Sequence, residues 1–379
     1  MKNRRLEVSV DDQMLRLYDG ADLIREWPVS TAAKGVGFTS GSLRTPTGRF
    51  VIVQKIGEGQ PSGTIFVARE PVGLWQPGEE SGTDHVLTRI IRISGLEPEN
   101  ANTFDRYIYF HGTDQEDKLG TPASWGCIRL SNEHIIELHD LVEPGMTAEI
   151  LPPTRKHGKV IFFDCDSTLS TIEGIDELGR ARGPEIFKMV EHLTNQAMNG
   201  EVPINEVFGR RMEIIRPDRA TAEAVARLYI DTMVPGVAAV IEKLKADGWT
   251  PVILSGGFAP LIHPLAKELG IDHVEAVPVY FDDDGGYAGY GVDYPTTRNG
   301  GKPEVIREWK KAMLPEVVVM MGDGVSDLEA KGEVDLFIGF GGVVAREAVR
   351  LGADAWLTDM ADFGNVVLPD GTRYATQGH

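Results

Sequence analysis

The chain has 379 residues, 42% hydrophobic and 25% charged, the balance of a soluble globular protein long enough for two domains with separate cores. Asp and Glu number 57 against 38 Lys and Arg, and a net charge of −19 repels polyphosphate backbones and anionic membranes, which argues against nucleic acid as a general partner. No apolar run is long enough to span a bilayer, and only Cys127 and Cys165 are present, so a disulfide framework is excluded. The basic start, Met1 to Arg5, leads directly into the alternating run Leu6 to Val10 with no apolar signal-peptide core. A reduced, cytoplasmic protein is expected.

Residues 1–152 carry short alternating segments separated by Gly, Pro, Asp and Ser, among them Leu15 to Tyr18, Gly48 to Gln54, His85 to Ser94 and Arg106 to His111. This spacing predicts a mostly β domain, a sandwich or a barrel. One helix is predicted over 132–141, where Ser131 is a good N-cap and His134, Ile135, Leu138 and Leu141 recur at helical spacing. The strand Tyr107 to His111 ends in a histidine, and Ser124-Trp125-Gly126-Cys127-Ile128-Arg129-Leu130 follows. A lone Cys or His is ordinarily an inert core residue. Together they have a chemical logic: an imidazole can deprotonate a thiol, Gly126 admits a substrate backbone, and nearby main-chain N–H groups can serve as an oxyanion hole.

Two prolines and a basic run then mark an exposed linker over residues 153–158. In residues 159–379, apolar strands at Lys159 to Phe163, Thr250 to Leu254 and Val317 to Met321 alternate with helical patterns. That alternation predicts a parallel sheet covered by helices, with ligands at the carboxyl ends of the strands. Asp164-Cys165-Asp166 follows the first strand, and its two carboxylates point the same way. Ser255-Gly256-Gly257 follows the second and is expected to open a helix whose N–H groups face an anion. Lys302 follows Gly300-Gly301 and precedes another helix, and Gly322-Asp323-Gly324-Val325-Ser326-Asp327 follows the third strand.

These four segments, in this order, resemble the haloacid dehalogenase superfamily of phosphatases. The resemblance implies a Rossmann-like α/β fold in which Asp164 is a nucleophile that becomes an aspartyl-phosphate and Asp166 is the general acid and base. It further implies that Ser255, Gly256 and Lys302 hold the phosphoryl group. Mg²⁺ would be bound by the Asp164 carboxylate, the Asp166 main-chain carbonyl and Asp323, with Asp327 supporting it from behind. The insertion from Glu173 to about Val234, including Met198 and Phe208 to Met212, is similar to the helical cap of phosphoserine phosphatases. That likeness implies Glu173 on a substrate ammonium, Arg211 on its carboxylate, and Met198 among the substrate-binding residues; a planar guanidinium grips a carboxylate at two points. Ile204 stands where the family usually has an aromatic residue, and Ser326 where many members carry Asn or Thr. A competing reading keeps the chemistry and changes the substrate to another small phosphomonoester.

The first half, about residues 4–151, resembles the L,D-transpeptidase catalytic domain through the cysteine segment together with Trp27 to Thr31 and Arg44 to Phe50. By that resemblance Cys127 is acylated by peptidoglycan stem peptides or their precursors, His111 is the base, Ser124 orders the loop, and Gly126 and Arg129 help bind the acyl donor. Trp125 stands where the family most often has a second His. The resulting expectation is a fusion of a phosphatase for a small phosphorylated amino acid with a cysteine acyltransferase. The alternative for the first half is a peptide-binding module without catalysis.

Overall fold

The computed structural model describes residues 4–76, 78, 85–155, 158–198 and 204–371. The chain divides into two compact units, Met1–Lys156 with Trp309–Leu314, and His157–Glu308 with Pro315–His379. Of the expected linker, Lys156 and His157 lie outside the described residues.

The first unit is built from β1 (Arg4–Ser9), β2 (Met14–Asp19), β3 (Asp22–Pro28), β4 (Gly48–Ile56), β5 (Thr64–Val67), β6 (Glu70–Leu74), β7 (Leu87–Gly95), β8 (Tyr109–Gly112), β9 (Ile128–Leu130), α1 (Asn132–Leu141) and β10 (Thr147–Leu151). The strands form one hydrogen-bonded sheet in the order β3-β2-β1-β10-β4-β7-β5-β6, and β8 branches from β7 to carry β9. Alternate residues turn inward, so Leu6, Val8, Leu15, Leu17, Phe50, Ile52, Ile91, Ile93 and Ile150 share one core with Trp27, Phe110 and the α1 residues Ile135 and Leu138. Helix α1 spans the predicted residues, and its cap is Ser131 Oγ accepting from the His134 N–H at 3.1 Å. The strand before His111 begins at Tyr109, not Arg106, because Tyr107 takes a left-handed φ of 58°, outside the extended range of a regular strand.

The second unit begins with β11 (Lys159–Phe163), followed by α2 (Gly174–Ala181), α3 (Pro184–Met198), α4 (Ile204–Ile215), α5 (Arg219–Asp231) and α6 (Val237–Ala246). Then come β12 (Trp249–Phe258), α7 (Ala259–Glu268), β13 (His273–Val277), the antiparallel hairpin β14 (Val279–Phe281) and β15 (Tyr287–Tyr290), α8 (Gly301–Met313), whose residues from Trp309 on are grouped with the first unit, and β16 (Val317–Gly322). The unit closes with α9 (Val325–Leu328), β17 (Leu336–Phe340), α10 (Glu347–Gly352) and β18 (Ala355–Leu357). A parallel sheet runs β13-β12-β11-β16-β17-β18, and helices α2 to α5 form the insertion after β11. Ser255-Gly256-Gly257 does not open a helix as expected. β12 continues through it to Phe258, past a register shift against β13, and α7 begins at Ala259. No helix among the described residues is long and apolar enough to cross a membrane.

Candidate active sites

The carboxyl ends of β11, β12 and β16 open on one cavity of about 350 Å³, lined by Asp164, Asp166, Glu173, Arg211, Ser255, Gly256, Lys302 and Asp323. Asp164 leaves β11 with its N–H donated to the Met321 carbonyl of β16 at 2.9 Å, which holds the carboxylate at the sheet edge. Lys302, in the first turn of α8, donates Nζ–H to Asp164 Oδ1 at 2.7 Å and to Asp327 Oδ1. It can lie so deep because α8 starts at Gly301, where a Cβ would collide with the Pro295 carbonyl. Asp327 also accepts from the Gly324 N–H at 2.8 Å, and Ser255 Oγ accepts from the Gly257 N–H at 2.9 Å. Asp166 Oδ1 accepts from the Tyr229 hydroxyl and from the Gly174 N–H at 3.4 Å. Ser167, at a left-handed φ of 54°, donates its hydroxyl to Glu173 Oε1 at 2.7 Å.

Burial sets the electrostatics here. It drives the Asp166 carboxyl well above its ordinary range, and Glu173 and Asp164 push the same way against the hydrogen bonds from Tyr229 and Gly174. Glu173 is raised by burial too, partly offset by the Ser167 hydroxyl. Asp327 is lifted to about 7 by burial and the Asp164 charge. Burial pulls the Lys302 ammonium down, but Asp164 and Asp327 outweigh it and raise it above its usual value. Arg211 is lowered by burial. Cys165 packs into the apolar core, where burial first and then Asp166 and Asp164 hold its thiol well above normal.

Oxygens of Asp164, Asp323 and Asp327 all lie within 4.8 Å of one another, a buried hard-donor group suited to a divalent cation. Asp327, expected behind the metal, thus offers its carboxylate within the same group. Two cations answer these charges: Lys302 on Asp164 and Asp327, and Arg346 on Asp323. Arg346 and Tyr229 were not foreseen in the sequence. Arg346 sits in a loop with no motif, and Tyr229 reads simply as a buried position of an amphipathic helix. Phe208, another lining residue, stacks edge-on with Phe258 at 5.5 Å and supplies an aromatic wall beside Arg211. The side chains of Met198 and Ile204 lie outside the described residues.

In the first unit, β8 and β9 run parallel with His111 opposite Arg129, two residues along from Cys127. The half-buried Cys127 Sγ accepts from the Tyr109 N–H at 3.4 Å and lies 3.4 Å from the Tyr107 carbonyl, toward which it donates. His111 is buried, and its Nδ1 is 2.8 Å from the Gly112 carbonyl. A carbonyl only accepts, so Nδ1 carries the proton and Nε2 is the basic nitrogen. Ser124 Oγ donates to the Cys127 carbonyl at 2.6 Å and accepts from the Gly126 N–H at 3.2 Å. Gly126 has a φ of 122°, a conformation closed to most side chains. Arg129 is 1% exposed and spends its guanidinium on Gln115 Oε1 at 3.0 Å and the Ala123 carbonyl, within the same loop system. Trp125 is 56% exposed. The thiol packs beside Phe66, Ile90 and Tyr109, which line a cavity of about 420 Å³ together with Arg69 and Tyr107.

Residues 3–151 match the family model of the L,D-transpeptidase catalytic domain, and residues 161–330 match that of haloacid dehalogenase-like hydrolases. The chloroplastic phosphoserine phosphatase of Arabidopsis thaliana is 34% identical over 231 residues, covering 59% of this chain and 77% of that protein. The phosphoserine phosphatase of Bos taurus is 35% identical over 204 residues, covering 53% of this chain and 90% of that protein. Among solved structures, a phosphoserine phosphohydrolase-like protein from Francisella tularensis superposes with a TM-score of 0.50 at 24% identity, over 55% of this chain and 100% of that one, a likeness of fold. Residues 3–151 are thus similar to the L,D-transpeptidase catalytic domain, and through its second unit the chain belongs to the phosphoserine phosphatase family of haloacid dehalogenase-like hydrolases.

Proposed function

We propose that the second unit hydrolyses phosphoserine to serine through an aspartyl-phosphate on Asp164, with Mg²⁺ as cofactor, and that Cys127 of the first unit transfers acyl groups of peptidoglycan-type peptides. The observation that carries the first part is the single cavity shared by Asp164, Asp166, Ser255, Lys302, Glu173 and Arg211. Asp164 attacks phosphorus while Asp166 protonates the departing serine oxygen; Asp166 then takes a proton from the water that displaces Asp164. Ser255, the Gly256 backbone and Lys302 hold the phosphoryl oxygens, and Lys302 also fixes the direction of the Asp164 carboxylate. Glu173 and Arg211 offer one anion and one planar cation to a zwitterionic amino acid. Asp164 and Asp323, with the Asp166 carbonyl, would hold the Mg²⁺, and the buried carboxylate group including Asp327 fits a hard cation. When bound, the ion neutralises charge on the phosphoryl oxygens.

For the first unit, the half-buried thiol beside a cavity and the basic His111 Nε2 support cysteine chemistry, with His111 as base. Arg129, buried in its own loop, acts there by shaping the segment that carries Cys127. We place the chain in the cytoplasm, a reading supported by two cysteines without a disulfide.

The test is steady-state phosphate release from phosphoserine, phosphothreonine and small sugar phosphates, with Mg²⁺ and after exhaustive chelation. Phosphoserine should turn over fastest, and chelation should silence it. Equal rates across the panel would overturn the substrate, and turnover indifferent to chelation would overturn the metal.

A further inference from the structure

The two oxygens of Asp166 have different surroundings. Oδ1 is fastened by the Tyr229 hydroxyl and the Gly174 N–H, both from the inserted helices α5 and α2. Oδ2 faces the cavity floor, 3.0 Å from where a Cβ on Gly257 would sit. One oxygen is therefore committed to the protein, and the other lies beside Gly257 in the lining of the cavity. Tyr229 is 0% exposed, on the face of α5 formed by Ala222, Val225 and Ala226. Its hydroxyl reaches Asp166 only because residue 174 is glycine, where any Cβ would collide with it. A phenol buried this deeply needs a partner, and here the partner is the proposed proton donor.

We propose that Tyr229 is a positioning residue: it locks the Asp166 carboxyl in the rotamer that aims Oδ2 at the leaving oxygen. The inference rests on the phosphatase reading above. In the first step an Asp164 oxygen bonds to phosphorus, the bond from phosphorus to the serine oxygen breaks, and the proton on Asp166 Oδ2 passes to that oxygen. In the second, a water oxygen bonds to phosphorus, the Asp164 oxygen leaves, and a water proton returns to Asp166. Tyr229 exchanges no proton in either step. It fixes direction, and misdirecting a proton donor is costly when the leaving group is a poor one.

Leaving-group dependence reads this out. In single-turnover experiments with excess enzyme and Mg²⁺, Tyr229→Phe should slow serine release from phosphoserine by about tenfold to a hundredfold, part of what general acid help supplies. Nitrophenol release from p-nitrophenyl phosphate, whose leaving group needs no proton, should keep the wild-type rate, and KM for phosphoserine should not move. Gly174→Ala displaces the hydroxyl without removing it and should show the same selective loss. Equal slowing of both substrates in both variants would mean that Tyr229 only supports the fold, and no slowing of either would mean that the contact is idle; both outcomes overturn the proposal. Asp166→Asn is the reference. If that variant shows no leaving-group selectivity, the acid assignment itself fails; if it does and Tyr229→Phe does not, only the role of Tyr229 fails.

Discussion

The phosphatase cavity and the Cys127 loop solve the problem of buried polar groups in opposite ways. In the cavity, like charges are crowded together and answered by cations from distant segments: Asp164, Asp323 and Asp327 meet Lys302 and Arg346. Such a cluster is costly without a ligand or a metal to share it, and that cost itself points to function. Around Cys127, polar groups are spent on their own loop: Ser124 on the Cys127 carbonyl, Arg129 on Ala123 and Gln115, His111 on Gly112. The first arrangement surrounds one cavity with charges of both signs; the second sets a half-buried thiol beside a mostly apolar cavity.

Arg211 separates the two sites most sharply. If the cavity reads a zwitterion, Arg211→Ala should cost phosphoserine about 2–5 kcal/mol in kcat/KM, the scale for truncating one member of a buried charge pair. A phosphomonoester without a carboxylate should lose far less. Equal losses would make Arg211 a support for the cap and remove the contrast in recognition.

On the other side, iodoacetamide near neutral pH should label Cys127 well before Cys165, which is buried among carboxylates that oppose its ionisation. Labelling followed by intact mass spectrometry should slow by about tenfold in His111→Ala if the imidazole activates the thiol. An unchanged rate in that variant would leave Cys127 merely exposed, and the first unit a binding module.

The smallest effect concerns stability. His139 on α1 is 1% exposed, and burial, with Lys55 and Arg89, lowers its pKa from 6.5 to about 4 against the pull of Asp140 and Glu58. The folded state thus favours neutral imidazole. Its contribution is full above pH 6.5, is lost as pH falls from 6.5 toward 4, and changes no further below that. Melting temperatures across this window should fall less steeply in His139→Leu than in the parent; parallel curves would show that the acid sensitivity lies elsewhere.

Much of the second site was legible because its chemistry sits where strands end. Asp164, Ser255 and Asp323 each follow an apolar run, and an apolar run of that length reads as a buried strand. Helix α1 was legible from Ser131 and one amphipathic stripe. Other features leave no such trace. Tyr229 looks like any core aromatic, since helical period tells that a side chain is buried but not which atom it meets. Arg346 lies in Val343-Val344-Ala345-Arg346, between elements, and only the folded chain brings it to Asp323. The left-handed Tyr107 shortens β8, yet nothing about a tyrosine announces that conformation. Ser255-Gly256-Gly257 suggested a helix start, but β12 carries the extended backbone beyond it, with Gly257 N–H turned to Ser255 Oγ.

The proposed phosphatase chemistry depends on Asp164 as nucleophile, and the most direct measurement is phosphate release from phosphoserine by Asp164→Asn, with circular dichroism confirming the fold. The substitution is nearly isosteric and removes the attacking charge. Release should fall to background while the melting curve stays close to that of the parent. Turnover at the parent rate in a folded Asp164→Asn protein would contradict the aspartyl-phosphate route and everything built on it.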